Sequence, residues 1–299
     1  MHSFNNNKCI FIINPNSGIA GVNSLVKQLG KYRNEFDYAI FSSIDEFRSF
    51  IKSHKDEYEI FIAAGGDGTV NSLASELIET KKILGVFPVG SGNGFAREMG
   101  FKNNLKTLAT DIARKKSFEI DVLFINDAPC INVSGIGLDS IVAHKFQRFK
   151  HRGKWNYGIA AMQTLRGIRP FMTSLYVNDE KIEERLFMVS AANTRQFGNN
   201  AFLAPMARPD DGKINLVLLK PFPKILAPLL VLKMLTGTLK DSKYIKYIDS
   251  DKQIKIISEE SRIHIDGEPL VIKGEINITL RKNSLRILKT GNVNPLMGN

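Results

Sequence analysis

The chain's 299 residues suffice for two domains, and a 43% hydrophobic, 24% charged composition is that of an ordinary globular protein rather than a disordered one. A net charge of +11 calls for an anionic partner, either nucleic acid or an anionic membrane surface. The sequence shows no zinc-ligand spacing, RNA-binding sheet signature or helix-turn-helix pattern, so none of the common nucleic-acid modules is read in it.

In chain order, strands are predicted near 8–13, 37–41, 58–63 and 83–87, and helices near 20–31, 44–54, 69–80, 92–98 and 103–114. Apolar strands alternating with helical patterns argue for a parallel sheet covered on both faces. After about residue 120 short strands dominate: 119–125, 128–134, 173–178, 185–193, 213–220, 253–258, 262–266, 269–272, 275–281 and 284–288. Turn pairs such as Asn178-Asp179 and Asp211-Gly212 punctuate them, as in an antiparallel sandwich, with helices near 138–148, 156–168 and 223–236. The expected division is an α/β nucleotide-binding domain over 1–125 and a β-rich domain over 126–288.

The N-terminus is polar and runs directly into a strand, so no signal peptide is expected. The longest apolar stretch, Ile225 to Leu235, is too short to span a membrane and carries Pro228 and Lys233. Cys9 and Cys130 lie in apolar runs, as buried thiols do in a reducing compartment, so a cytoplasmic location is expected. Basic residues alternate with Phe146, Phe149 and Trp155 over 145–155, a pattern suited to a lipid headgroup layer and equally to a solvated helix face.

The chemistry concentrates in Ala63-Ala64-Gly65-Gly66-Asp67-Gly68-Thr69, between the apolar burst Ile60-Phe61-Ile62 and a helical pattern on Val70, Leu73, Ala74 and Leu77. A glycine turn entering a helix aims backbone N–H groups at one point, which suits phosphate. Asp67 would repel phosphate unless it holds Mg²⁺ or accepts a proton from an attacking hydroxyl, so the combination points to phosphoryl transfer. The plainer alternative is a strand–helix turn with Asp67 or Thr69 as its cap. Two further loops favour the chemistry: Asn14-Pro15-Asn16-Ser17-Gly18 and Gly90-Ser91-Gly92-Asn93-Gly94, each after an apolar strand. In open α/β sheets the carboxyl ends of strands bind ligands, so three such loops can line one cleft.

These three loops, in this order, resemble the diacylglycerol kinase/sphingosine kinase catalytic domain, and the chain is similar to the soluble bacterial lipid kinases. The likeness continues through Asn132-Val133-Ser134-Gly135-Ile136-Gly137-Leu138-Asp139, Ala204-Pro205 with Asp210-Asp211-Gly212, and Asp266-Gly267-Glu268. It implies a phosphofructokinase/NAD kinase-like sheet followed by a β-sandwich, with the last strand or the tail near 289–299 returning to the first domain. It also implies transfer of the γ-phosphate of ATP, with Mg²⁺, to the hydroxyl of diacylglycerol or a sphingoid base in a cleft between the domains. Asp67 and Glu268 would be the catalytic acids. Asn14, Ser17, Gly65, Gly66, Gly68, Thr69, Ser91, Asn93 and Asp266 would contact nucleotide, and Asp67 and Asp266 would hold Mg²⁺ partly through water. Asp139 would face the lipid head, and Asp210 and Asp211 would bind a structural Mg²⁺.

The plain readings of those outlying acids are a hairpin turn at Asp266-Gly267 with Glu268 on the surface, a helix cap at Asp139, and a turn at Asp210-Asp211. The expected partner is a lipid substrate at an anionic membrane, with peripheral attachment, no nucleic acid, and oligomeric state left open, a homodimer included. An apolar acyl-chain pocket is expected from 156–168 and 223–236. Two departures from the family pattern stand out: Ser72 where the family usually has Glu, and Gly94 where bacterial diacylglycerol kinases usually have Asp. The latter resembles sphingosine kinases. The rival readings are a kinase with a soluble acceptor and a non-catalytic lipid- or nucleotide-binding relative.

Overall fold

The computed structural model describes residues 8–31, 36–90, 92–146, 164, 167–198 and 200–291. The chain divides into two compact units, Met1–Ile120 with Asn283–Asn299, and Asp121–Lys282.

In the first unit, strands β1 (Cys9–Ile13), β2 (Asp37–Ile40), β3 (Ile60–Gly65) and β4 (Ile83–Pro88) pair in parallel in the order β2-β1-β3-β4. Every residue of β1, β3 and β4 is buried, which is why these strands read as unbroken apolar runs. Helices α1 (Ile19–Lys31), α2 (Ile44–His54), α3 (Asp67–Leu77), α4 (Gly94–Glu98) and α5 (Leu105–Arg114) connect them. α2 and α5 begin at Ser43 and Asn104, whose side chains accept the N–H of Glu46 and Thr107. Val70, Leu73, Ala74 and Leu77 form the buried face of α3, the expected helical spacing. The C-terminal end of the last strand joins this sheet, with Arg286 and Ile287 in parallel register with Ile83 and Leu84. Beyond it, Lys289 N–H donates to Lys116 O and Thr290 Oγ1 to Met99 O.

The second unit is a sandwich. One antiparallel sheet runs β12 (Ile245–Ser250), β11 (Ile214–Leu219), β10 (Met188–Ala192), β7 (Val133–Gly137), β14 (Arg262–Ile265), β15 (Glu268–Val271). In the other, β13 (Ile254–Ser258) lies between the N-terminal part of β16 (Glu275–Leu288) and the hairpin β8 (Phe171–Val177)–β9 (Glu180–Leu186). The short hairpin of β5 (Ser117–Ile125) and β6 (Ala128–Cys130) precedes β7. Leu123, Ile136, Leu175, Leu216, Ile256 and Ile278 meet in the core between the faces. Helix α6 (Leu138–Phe146) follows β7, and a 3-10 turn (Lys224–Leu226) leads into α7 (Ala227–Leu235). Among the described residues no helix is long and apolar enough to cross a membrane.

The structure departs from the expected elements at three places. Strand β12 was not anticipated, because lysine and aspartate break its apolar pattern and only its two ends are buried. Strand β9 begins at Glu180 rather than 185, since five of the seven residues of this half-exposed strand are charged glutamate, lysine or arginine. The separate strands expected at 275–281 and 284–288 are one, and Lys282-Asn283-Ser284 is a local kink with Asn283 at φ 50° rather than a turn. Of the helix expected at 156–168 only Thr164, Gly167 and Ile168 are described, and most of the basic stretch at 145–155 falls outside the described residues.

Candidate active site

Strands β1, β3 and β4 end side by side, so the three polar loops of the first unit interlock. Asn14 Nδ2 donates to Thr69 Oγ1 at 3.2 Å, tying the first loop to the second. Asn14 Oδ1 accepts the N–H of Asn16, and its carbonyl the N–H of Ser17, which curls the first loop. The N–H groups of Val89 and Gly90 both donate to Gly65 O, tying the second loop to the third. The first loop closes on the third at Gly18, whose φ is +60° and where a Cβ would lie 2.0 Å from Val89 O, so only glycine fits.

Asp67 opens helix α3 directly after Gly66, and is half-buried. A Cβ at Gly92 would stand 2.8 Å from Asp67 Oδ2, and one at Gly90 would stand 2.6 Å from Gly66 Cα. Gly90 and Gly92 of the third loop thus stand too close to Gly66 and to the Asp67 carboxylate for a side chain to enter without a shift. Asn93 has φ 50° at the start of α4 and its Nδ2 donates to Gly90 O at 2.7 Å. Gly68 and Thr69 lie in the first turn of α3. Ser91 lies outside the described residues. At the departure from the family pattern, Ser72 Oγ donates back to Gly68 O at 2.9 Å and contributes no acid.

The remaining expected site residues lie in the second unit, in three groups. Asp266 and Gly267, both at positive φ (49° and 87°), form the two-residue turn of the β14–β15 hairpin, the geometry such tight turns demand. The Asp266 carboxylate accepts the N–H groups of Ile131, Asn132 and Val133 at 2.9–3.0 Å and the Cys130 thiol at 3.1 Å. Burial, and the Asp266 charge beside it, push the Cys130 thiol up, so it is a proton donor here. Glu268 is exposed at the start of β15.

Asp139 is 3% exposed. Its Oδ1 accepts the N–H of Ser140 at 2.7 Å, and its Oδ2 accepts a short hydrogen bond from Ser190 Oγ and faces His264 Nε2 at 3.4 Å. His264 Nδ1 in turn accepts the N–H of Gly267 at 3.2 Å. The five histidines carry no metal-ligand spacing in the sequence, so His264 was not anticipated as a link between Asp139 and the Asp266-Gly267 turn; its place beside that turn, two residues before Asp266, was the available signal.

Asp210 pairs with Arg208 (3.1 Å) and Asp211 Oδ1 accepts the N–H of Lys213. Burial, with Asp121 and Asp249 nearby, raises the Asp211 pKa. Among the described residues no three His, Cys, Asp or Glu side chains gather as a metal-ligand group. A cavity of about 550 Å³ opens between α6 and β13–β14, lined by Ile141, Phe171 and the charged Arg169, Glu259, Glu260 and Arg262. Thr164, Gly167 and Ile168 of the expected 156–168 segment line it, and no residue of 223–236 does.

Residues 8–125 match the model of the diacylglycerol kinase catalytic domain, and residues 132–288 match the YegS C-terminal NAD kinase beta sandwich-like domain. The chain belongs to the diacylglycerol kinase/YegS-like lipid kinase family. Among its relatives, a diacylglycerol kinase of Bacillus subtilis is 26% identical over 217 residues, covering 71% of this chain and 72% of that one. A diacylglycerol kinase of Mycobacterium tuberculosis is 31% identical over 165 residues, 52% of this chain and 53% of its own. Of solved structures, a diacylglycerol kinase from Bacillus anthracis superposes with a TM-score of 0.74 at 19% identity, covering 96% of this chain and 98% of that one. An NAD kinase from Archaeoglobus fulgidus in complex with ATP gives a TM-score of 0.54 at 12% identity, covering 95% and 94%. These two likenesses establish the fold: an α/β unit with a mostly parallel sheet, then an antiparallel sandwich. Family membership makes the chain a kinase in class.

Proposed function

We propose that this family member transfers the γ-phosphoryl group of ATP to the primary hydroxyl of a membrane lipid, diacylglycerol or a sphingoid base. The observation that carries the reading is the close approach of Gly92 to Asp67, where a Cβ at Gly92 would stand 2.8 Å from Asp67 Oδ2, within a ring of three interlocked strand-end loops. Phosphoryl transfer needs positioning and charge neutralisation more than covalent help from the protein. The N–H groups around Gly66, Gly68 and Thr69 at the start of α3 meet the phosphates, and Asn14, Ser17 and Asn93 line the walls on either side.

The acceptor oxygen bonds to the γ-phosphorus as the bond from that phosphorus to the bridging oxygen breaks, releasing ADP. Asp67 takes the hydroxyl proton. A hard carboxylate at a phosphate cradle suits Mg²⁺, and Asp67 would be the residue that holds it, the ion supplying neutralisation of phosphate charge when bound. Glu268 is the second acid of this reading, by resemblance and by its exposure at a tight hairpin. Gly94 in place of an acid, as the resemblance to the sphingosine kinase loop has it, favours the sphingoid base among acceptors. A charge of +11 and the lipid acceptor together support peripheral attachment to an anionic membrane from the cytoplasmic side.

Transfer of radiolabelled γ-phosphate from ATP with Mg²⁺ into mixed micelles carrying either lipid tests the reading, beside Asp67→Ala. Label in one lipid, lost in the variant, establishes reaction and acceptor. Folded protein that labels neither lipid would sink the lipid acceptor and leave a soluble-acceptor kinase or a silent binder.

A further inference from the structure

The segment Pro221–Leu235 turns apolar side chains in two directions. Leu226, Leu230 and Met234 recur every four residues and pack on the core built by Phe222, Ala227, Leu203 and Val217. On the other side Ile225 is 86% exposed, Leu229 48% and Leu232 56%, with Pro228 exposed between them. The neighbouring loop is tied to the end of this helix by the N–H of Phe202, which donates to Met234 O, and it carries Met206, also 86% exposed. A helix on the surface of a water-facing domain places polar residues on its outer face, and this one places leucine and isoleucine there.

The charged residues of this stretch are basic with one exception. From 220 to 246 the sequence holds six lysines and one acid, Asp241, whose carboxylate accepts the N–H of Tyr247. Lys224, Lys233, Lys240 and Lys243 are all exposed. Apolar side chains projecting from a helix between lysines are what an interfacial element presents to anionic headgroups: the apolar face enters the headgroup/acyl boundary and the cations stay at its surface. A second copy of this chain would bring a like-charged face to its own, which the lysines oppose.

We propose that Ile225, Leu229, Leu232 and Met206, with Lys224 and Lys233 beside them, form a docking face for an anionic lipid bilayer. This gives the apolar segment expected to line an acyl-chain pocket a different place, on the bilayer rather than around the lipid tail. The purpose of the docking rests on the lipid-kinase reading, but the docking itself does not.

The test is co-sedimentation of the full chain with vesicles of phosphatidylglycerol and phosphatidylcholine, and with phosphatidylcholine alone, at low and high salt. Ile225→Ser/Leu232→Ser and Lys224→Glu/Lys233→Glu are compared with the parent chain, with melting temperatures confirming that each is folded. The parent chain is expected to bind the anionic vesicles, less so at high salt. Each double variant should lose about tenfold or more in partitioning while phosphorylating a short-chain, monomerically dissolved acceptor as the parent does. Folded variants that sediment as the parent does overturn the proposal. So does light scattering showing a dimer that Ile225→Ser/Leu232→Ser dissociates, since the face then joins copies of the chain. A parent chain that sediments through this face yet phosphorylates no lipid supports the docking and overturns the kinase reading instead.

Discussion

The N–H of Asn132 and Oδ1 of Asp266 meet at 2.9 Å, joining residues 134 apart in the sequence. The same carboxylate takes the N–H groups of Ile131 and Val133 and the Cys130 thiol, so it pins the chain entering β7 to the β14–β15 turn. Asp266→Ala leaves three N–H groups and a thiol without their acceptor. It should destabilise the protein by about 3–5 kcal/mol, and Asp266→Asn, which keeps one oxygen, by less. Denaturant titration checks this, with the midpoint falling at unchanged slope. An unmoved midpoint with lost transfer would instead place Asp266 in the chemistry, in the nucleotide and Mg²⁺ role that the resemblance implies.

The close approach of Gly92 to Asp67 separates catalysis from folding. A methyl at Gly92 meets only the end of a side chain, at 2.8 Å from Oδ2, whereas one at Gly90 meets backbone, at 2.6 Å from Gly66 Cα. Gly92→Ala is therefore expected to lower kcat/KM by about tenfold to a hundredfold through a displaced carboxylate, with stability changed by less than about 1 kcal/mol. Gly90→Ala should lower both. Paired kinetics and thermal melts decide, and a Gly92→Ala enzyme with parental kcat/KM would remove Asp67 from the proton-transfer role.

Asp139 gives a prediction that divides a lipid contact from a core role. By resemblance it faces the lipid head, but its carboxylate is 3% exposed among Ser140, Ser190 and His264. Asp139→Ala strips the acceptor from two hydrogen bonds and should cost about 2–4 kcal/mol in stability. The near-isosteric Asp139→Asn should leave KM for a sphingoid base and for diacylglycerol in their parental ratio. A selective rise in KM for the cationic sphingoid base in Asp139→Asn, at unchanged melting temperature, would restore the substrate contact.

The part of this molecule legible in the sequence is the part where local pattern and tertiary role agree. Strands β1, β3 and β4 are buried on both faces, so their apolar runs announce them, and the glycines after them mark the loops. Strand β9 and strand β12 were hidden or shortened because exposed positions there carry charge, and β16 because Asn283 imitates a turn inside a continuous strand. At the candidate site, spacing picked out Asp67 and its glycines, but no spacing reports that Asp266 holds three amides or that His264 meets Asp139, since those contacts join segments far apart in the chain. The outward leucines of α7 read as pocket lining because periodicity marks an apolar side chain and not the face on which it lies.

Asp211 offers a test that depends on pH. Burial, with Asp121 and Asp249 adding to it, raises its carboxyl pKa above the ordinary value near 3.8, against the N–H of Lys213, which lowers it. The folded chain therefore holds that proton more tightly than the unfolded chain. Between the unfolded and folded pKa the native state binds more protons, so stability falls as pH rises through that window and the deficit is complete above it. Asp211→Asn keeps an oxygen for the Lys213 N–H and removes the charge, so without divalent cation it should melt above the parent chain at pH 7. The gain should shrink as pH falls and vanish below the unfolded carboxylate range, about pH 4. Because Asp211 is exposed on one side, the gain should stay under about 1 kcal/mol. Melts from pH 3.5 to 8, with and without millimolar Mg²⁺, decide between charge repulsion and a metal. If Mg²⁺ binds at Asp210 and Asp211 as the resemblance implies, it raises the parent melting temperature and the Asn variant loses that rise, reversing the order of the two proteins in its presence.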